Sequence, residues 1–299
     1  MNDESIEVAC ALDVTQKSEY ALMLAVLATS LAKNHIDPRP LSLQVFHRGA
    51  TREMRERIEG PAIAYGATVT WTEIDEERIA RLGGVVSYET AGYYMKLLIP
   101  ELVAPRLKRV IYLDVDIVVL ADIARLWDVH HDAIAGCCVD RFIRTLGHSR
   151  IRPDLDVVNR RAFLTGMGCD PDAPYFNSGV MLIDTQRWVS NGVARRVVEY
   201  AERYSSRNQD QDGLNVILSG AWRALDPRWN VFPRLSQDFE EPPPDPPYAV
   251  HFCWYKPMET DYETRYVVSP SKSAFRRIFY NYLAHTAFAS TPAGDGGVS

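Results

Sequence analysis

Two carboxylates two residues apart, Asp114 and Asp116, form the strongest chemical signal in the chain; they sit in the segment RVIYLDVDIVVLADIARLWD at 109–128. The apolar run before them reads as a strand, and on an extended chain residues two apart face the same side. Such a pair at a strand end can hold a hard divalent cation, and Mg²⁺ or Mn²⁺ held by one or two carboxylates completes its shell with substrate phosphates. Open α/β sheets also bind ligands at the carboxyl ends of their strands, so the pair suits a nucleotide diphosphate. A lone Asp-x-Asp also serves as a plain surface cap on a strand. Here, however, IVVL follows at 117–120, apolar chain flanks both carboxylates, and burying two unpaired like charges is costly. A cation is the simplest compensation.

Three further segments carry polar groups beside apolar runs. In PYFNSGVMLIDTQRW, at 174–188, the step Asn177-Ser178-Gly179 opens a strand at 180–183; it can bring backbone close to a ligand, and the Asn177 amide both donates and accepts. Asn208-Gln209-Asp210-Gln211-Asp212-Gly213 precedes an apolar stretch and reads as a helix N-terminus, with aspartates near the positive end of its dipole. In AVHFCWYKPM, at 249–258, His251 ends a strand and Lys256 follows five residues later. That pairing offers an imidazole to a cation and an ammonium to phosphate oxygens.

The elements that must position these groups alternate between β-branched apolar runs and helical patterns, the mark of βα units and a largely parallel sheet. The pattern predicts strands near 6–12, 41–46, 69–74, 110–113, 133–139 and 180–183. It predicts helices at 19–33, 52–65, 88–99, 193–204 and 209–218. The first strand, IEVACAL, is apolar on both faces, as a central strand covered by helices must be. Residues 140–177 lack clean periodicity and are expected to form a lid or acceptor loop. The run EEPPPDPP at 240–247 must be an extended connector, and the last ten residues are expected to lack order. The expected organisation is one catalytic domain over 1–268, followed by a C-terminal helix and tail over 269–299.

Composition narrows the classes. At 299 residues with 46% hydrophobic and 24% charged residues, the chain is an ordinary globular protein, large enough for a sizeable core. A net charge of -6 without basic runs argues against a nucleic-acid partner. The five scattered cysteines contain no Cys-x-x-Cys, so neither a disulfide framework nor a zinc site is indicated. The acidic start MNDESIEV does not read as a signal peptide. The longest apolar stretch, 21–32, is interrupted by Thr29 and Ser30 and reads as a buried helix rather than a membrane span. A cytoplasmic protein is expected.

Taken in order, the pieces resemble glycosyltransferase family 8, the retaining GT-A enzymes that include bacterial lipopolysaccharide galactosyl- and glucosyltransferases and glycogenin. They are the opening ALD, YYMKLLIPEL, YLDVDIVV with its downstream LW, FNSGVMLID, DQDGLN, DPRWNVFP and HFCWYKP, spanning about residues 8–258. The resemblance implies an α/β GT-A fold with a Rossmann-like, mostly parallel central sheet flanked by helices. It implies that Asp114, Asp116 and His251 ligate Mn²⁺, with Mg²⁺ as the alternative, and that Lys256 neutralises the leaving diphosphate. Asp13 matches a uracil-contacting aspartate beside Ala11 at the nucleotide floor, and Lys96 stands where an arginine is usual near the sugar and phosphates. Asn177, Ser178, Asp210 and Gln211 match positions around the donor sugar, and Asp140 one near sugar and acceptor. The catalytic candidates are therefore Gln211, Asp210 and Asp140. Three departures stand out: Val14-Thr15-Gln16 replaces the family's Asp-Asn-Tyr, lysine replaces arginine at 96, and HFCWYKPM is shorter than the family's HxxGxxKPW and ends on Met258.

The function this implies is a metal-dependent retaining hexosyltransferase, moving glucose or galactose from a UDP-sugar to a glycan, lipid-linked or small-molecule acceptor. Because Gln211 is a poor nucleophile, same-face attack is favoured over double displacement. The departures motivate an alternative, a nucleotide-sugar-binding or scaffold protein with little turnover; self-glucosylation, as in glycogenin, is a third reading. The segment SKSAFRRIFYNYLAH, at 271–285, is either a helix packed on the domain or a weak peripheral membrane contact. A homo-oligomer is an open partner option.

Overall fold

The computed structural model describes residues 5–15, 17–80, 91–149, 151–204, 208–233, 245–253, 256–258 and 270–289. Gln16, the start of the helix expected at 88, residues 240–244 of the proline-rich connector, Trp254 and Tyr255, the division expected at 268/269, and the last ten residues lie outside them. The first half runs β1 (Ile6–Asp13), α1 (Glu19–Asn34), β2 (Leu41–Arg48), α2 (Arg52–Ala64), β3 (Thr68–Glu73), α3 (Glu76–Ala80), α4 (Ala91–Val103), β4 (Arg109–Leu113) and β5 (Ile117–Val119). It continues with α5 (Ala124–Trp127), β6 (Ala135–Val139), α6 (Val157–Gly166), β7 (Phe176–Asp184), α7 (Thr185–Ser190), α8 (Val193–Arg203), α9 (Gln209–Ile217), β8 (Trp222–Ala224), β9 (Ala249–His251) and α10 (Pro270–Leu283).

Seven strands form one sheet in the order β3-β2-β1-β4-β7-β6-β8. The expected parallel βα pattern holds through β3, β2, β1 and β4, and β7 then runs antiparallel between β4 and β6. Doubly apolar β1 lies between β2 and β4, as its composition requires. Helix α1 is the buried helix foreseen at 21–32, with Ala21 and every residue from Met23 to Ala32 inside. Of the two polar residues that interrupt its apolar run, Thr29 Oγ1 is buried and, among the described residues, has no hydrogen-bond partner, whereas Ser30 is bonded on both sides. Ser30 Oγ donates to Leu27 O at 3.0 Å and accepts from Val119 N at 3.1 Å, while Asn34 Nδ2 donates to Val119 O at 2.9 Å. A helix that would otherwise pack by dispersion alone thus pins β5, the short strand that carries the chain away from Asp116.

Strand β5 belongs to a second, two-stranded sheet with β9, antiparallel, in the register Ile117↔His251. Strand β9 ends at His251, as read from the sequence, whereas β5, only three residues long, is not separately legible. The presence of the small sheet corrects the expectation that Asp114 and Asp116 share one side of an extended chain. Val115 and Asp116 instead form a turn, where the chain leaves the main sheet after Leu113 and enters the small one at Ile117.

The region 140–177 also departs from the irregular loop expected of it, since it contains α6. Asp156 caps that helix, accepting from Asn159 N at 2.9 Å. Only Leu164 of α6 is buried, so no apolar stripe marked the helix in the sequence. Leu164 joins Leu146, Ile151 and Tyr175 in a satellite core against Tyr200 of α8 and Val216 of α9. At the other end of the chain, α10 packs on the domain: Phe279 and Leu283 enter the main core, and Arg276 Nε donates to Pro257 O at 3.0 Å. Among the described residues, no helix is long and apolar enough to cross a membrane.

Candidate active site

A cleft of about 720 Å³ opens at the carboxyl ends of β1 and β4, and every site residue expected from the sequence lines it, from Ala11 to Lys256. The volume is that of an ordinary small-molecule site. Sheet register explains much of the convergence. Leu113 of β4 lies opposite Val180 of β7, and Asp114 N continues the ladder to Gly179 O at 2.8 Å, so the Asp-x-Asp turn and the Asn-Ser-Gly step meet side by side. A register shift between Cys137 and Cys138 of β6 interrupts the β6 ladder against β7. Ser178 N there bonds not to β6 but to Gln211 Oε1, at 3.0 Å. A bulge beside a site re-aims groups in this way.

Asp114, Asp116 and His251 offer ligand atoms that all lie within 4.8 Å of one another. His251 Nε2 is 3.2 Å from Asp116 Oδ1 and 3.7 Å from Asp114 Oδ2. That nitrogen is buried and, among the described residues, has no hydrogen-bond partner. Two carboxylates and an orphaned imidazole nitrogen facing one space form a donor set that fits a divalent cation. Lys256 Nζ reaches Asp116 Oδ2 and donates to Phe252 O at 3.0 Å. Burial alone would raise the Asp116 carboxyl, but opposing positive charge, the Lys256 ammonium foremost, holds it well below the usual carboxylate range.

Lys96, from α4, forms the second charged centre. Its ammonium is 3.2 Å from Asp114 Oδ1, 3.1 Å from Asp210 Oδ2 and 3.3 Å from Ser178 Oγ, and it sits over the Tyr112 ring. Burial works against this charge, and the two carboxylates overcome it and raise Lys96 above its ordinary value. Burial also pushes the Asp210 carboxyl up, with Lys96 opposing and Asp114 adding to the effect. Asp140 is likewise raised by burial, against two backbone donors to Oδ1: Phe142 N at 2.8 Å and Ile143 N at 3.0 Å. Its other oxygen stands 3.5 Å from both Asn177 Nδ2 and Gln211 Nε2. Gln211 Nε2 also donates to Tyr175 OH at 3.2 Å, and Tyr175 donates to Asp212 at 2.5 Å.

At the far end of the cleft, Asp13 and Arg48 end neighbouring parallel strands in register, and Arg48 Nη1 donates to Asp13 Oδ2 at 2.9 Å. Asp13 Oδ1 accepts from Thr15 N at 3.0 Å and Thr15 Oγ1 at 2.6 Å, so the residue that departs from the family pattern holds the aspartate in place. Both partners of the ion pair are over nine-tenths buried. Truncating one partner of such a pair leaves an uncompensated buried charge. Arg48→Ala should therefore lower the unfolding free energy by about 3–5 kcal/mol, read as a drop in urea midpoint at unchanged slope.

Several site residues were not singled out from the sequence. Tyr112 donates to Asp114 Oδ1 at 2.6 Å, and its position two residues before that aspartate on β4 was the available signal. Arg48 could have been found by pairing the ends of β1 and β2. Asn230, in DPRWNVFP, sits between Asn177 and His251 through contacts of 2.9 Å on each side, and no local pattern announces it. Gly179 owes its place to space: a Cβ there would lie 2.2 Å from His251 Cε1. Tyr20 and Tyr93 also line the cleft.

A family model for glycosyl transferase family 8 matches residues 12–258. General stress protein A of Bacillus subtilis (strain 168) is 27% identical over 296 residues, 93% of each chain. The lipopolysaccharide 1,3-galactosyltransferase of Salmonella typhimurium is 23% identical over 209 residues, 68% of this chain and 58% of that protein's length. Among solved structures, galactosyltransferase LgtC in complex with donor and acceptor sugar analogs has a TM-score of 0.71 at 22% identity, with 94% of this chain and 96% of that one covered.

Proposed function

The chain belongs to glycosyltransferase family 8 and has the GT-A fold, and from that premise we propose that it transfers a hexose, glucose or galactose, from a UDP-sugar to a glycan, lipid-linked or small-molecule acceptor with retention at the anomeric carbon. The observation that carries this reading is the convergence of Asp114, Asp116 and His251 on one space beside Lys256. The oxygen-rich donor set suits Mn²⁺ or Mg²⁺, and the imidazole favours Mn²⁺. When bound, the cation supplies positive charge to the departing diphosphate.

The chain's own residues supply the rest. Lys256 places an ammonium where phosphate oxygens would lie, adding a second positive charge for the leaving group. Asp13, with its position held by Arg48 and Thr15, keeps lone pairs for a base N–H beside Ala11. Lys96 holds Asp114 and Asp210 in one arrangement, and Asn177 and Ser178 line the sugar's side of the cleft. Gln211 already accepts a backbone N–H with Oε1, which orients it as a positioning amide rather than a nucleophile. We therefore favour attack on the face the diphosphate leaves. The acceptor oxygen bonds to the anomeric carbon, the bond to the UDP oxygen breaks, and the acceptor's proton passes to the leaving phosphate. Asp210 and Asp140 face the positive charge that develops on the sugar.

Calorimetry of UDP binding, with and without Mn²⁺, tests the reading. Binding that requires the metal, followed by transfer from a screened UDP-sugar and an axial-to-axial outcome by NMR, is expected. Absence of UDP binding with any metal would sink the assignment. Metal-dependent binding without transfer would favour the nucleotide-sugar-binding alternative, and a mass increase of the intact protein on incubation with donor would identify self-glucosylation.

A further inference from the structure

The orphaned His251 Nε2 is aimed by a chain of hydrogen bonds whose direction is forced at each step. Gly179 N is a backbone amide and can only donate, so the Asn177 atom 3.0 Å away is the carbonyl Oδ1. The Asn230 atom 2.9 Å from that oxygen must in turn be the donor Nδ2. Asn230 therefore turns its own Oδ1 to His251 Nδ1, at 2.9 Å, and Nδ1 must carry the proton. In the neutral ring this leaves the lone pair on Nε2, the nitrogen that faces Asp114 and Asp116. The opposite tautomer would present a proton to a cation and could not ligate it.

Each member of the relay is buried, Asn177 at 6%, Asn230 at 3% and His251 at 2% exposure, so water does not compete for these groups. The origin of the order is a main-chain N–H on β7, which cannot flip as a side-chain amide can. Asn230 enters from the segment beside β9, where Val231 bridges to Val250. The Phe232 ring packs against the imidazole at 5.7 Å between centroids.

We propose that Asn230 is a positioning residue for the cation: through Asn177 it transmits a fixed donor-to-acceptor order from the Gly179 amide to His251, so that Nε2 presents its lone pair to the space between Asp114 and Asp116. The inference rests on the metal-dependent reading above. It concerns a side chain whose hydrogen bonds run to Asn177 and His251.

The experiment combines ¹⁵N NMR of the His251 ring in the metal-free protein with Mn²⁺ titration followed by EPR, on the intact chain, Asn230→Leu and Asn230→Asp. In the intact protein under alkaline conditions, Nδ1 should give the protonated and Nε2 the unprotonated signature. Asn230→Leu should lose that preference and bind Mn²⁺ about 10–100-fold more weakly, the usual effect of removing an outer-shell partner. Asn230→Asp keeps an acceptor toward Nδ1 and should fall between the two. A purely packing role predicts the reverse ranking, because the aspartate adds a buried charge, and that ranking would overturn the proposal. An unprotonated Nδ1 in the intact protein would overturn it without recourse to any variant. Equal Mn²⁺ affinity in the intact protein and Asn230→Leu refutes this inference alone, whereas an intact protein that binds no Mn²⁺ removes the metal reading and the inference with it.

Discussion

Asp116→Asn should abolish metal-dependent UDP binding and lower sugar transfer by roughly 10²–10³-fold or more, the scale on which loss of one preorganised electrostatic stabiliser is felt. Asp116 is the shared member of the site, since Lys256 and His251 both meet its carboxylate. An amide of the same shape keeps the packing but removes the negative charge that both the cation and the ammonium require. Calorimetry with UDP and Mn²⁺ measures the first loss, and a transfer assay the second. Retention of metal-dependent UDP binding at the intact affinity would mean that Asp114 and His251 suffice, and the assignment of Asp116 as a ligand would be withdrawn. The substitution also carries a pH signature. A carboxylate whose pKa is depressed by folding contributes stability that is complete above its unfolded value and is lost as pH falls through the folded one. Asp116→Asn should therefore be less stable than the intact protein at neutral pH, and the gap should narrow as pH drops below about 4.

Gly179→Ala should disable the same site from the opposite side, with Asp114, Asp116 and His251 all still present in the chain. The added Cβ would lie 2.2 Å from His251 Cε1, 2.7 Å from Nδ1 and 3.0 Å from Asn177 Oδ1. Both strands are held in place, Gly179 O by Asp114 N and His251 by its pairing with Ile117, so the imidazole itself must move. Overpacking of this kind costs about 1–3 kcal/mol of stability. The larger consequence is functional: Mn²⁺ affinity should drop to that of His251→Ala, and the double variant should bind no worse than either single one, because both remove the same ligand. Additive losses would show that the glycine acts on something other than His251.

These expectations differ in how far the sequence supports them. The buried helix at 21–32, the doubly apolar first strand and the strand leading into Asp114 are all legible, because burial imposes a period on residues close together in the chain. The Asp-x-Asp pair, the Asn-Ser-Gly step and the polar run before α9 stand out for the same reason, as polar groups abutting apolar runs. Helix α6 was not legible, since a helix that buries one leucine leaves no stripe to read. Strand β5 of the small sheet was hidden by its three-residue length, although the strand ending at His251 was legible.

By itself, the sequence determined which chemical groups are available and that the ends of apolar strands must carry them: carboxylates at 114 and 116, an imidazole at 251, an ammonium at 256 and an α/β frame to hold them. Only the tertiary structure decided how those groups meet. His251 stands against Asp116 because β5 and β9 pair in one register, Asp13 meets Arg48 because β1 and β2 end together, and Asn230 reaches both Asn177 and His251 across the base of the site. The reason is that local periodicity follows from which face of a residue is buried, whereas these encounters follow from pairings between segments distant in the chain, and no short stretch of sequence contains both partners.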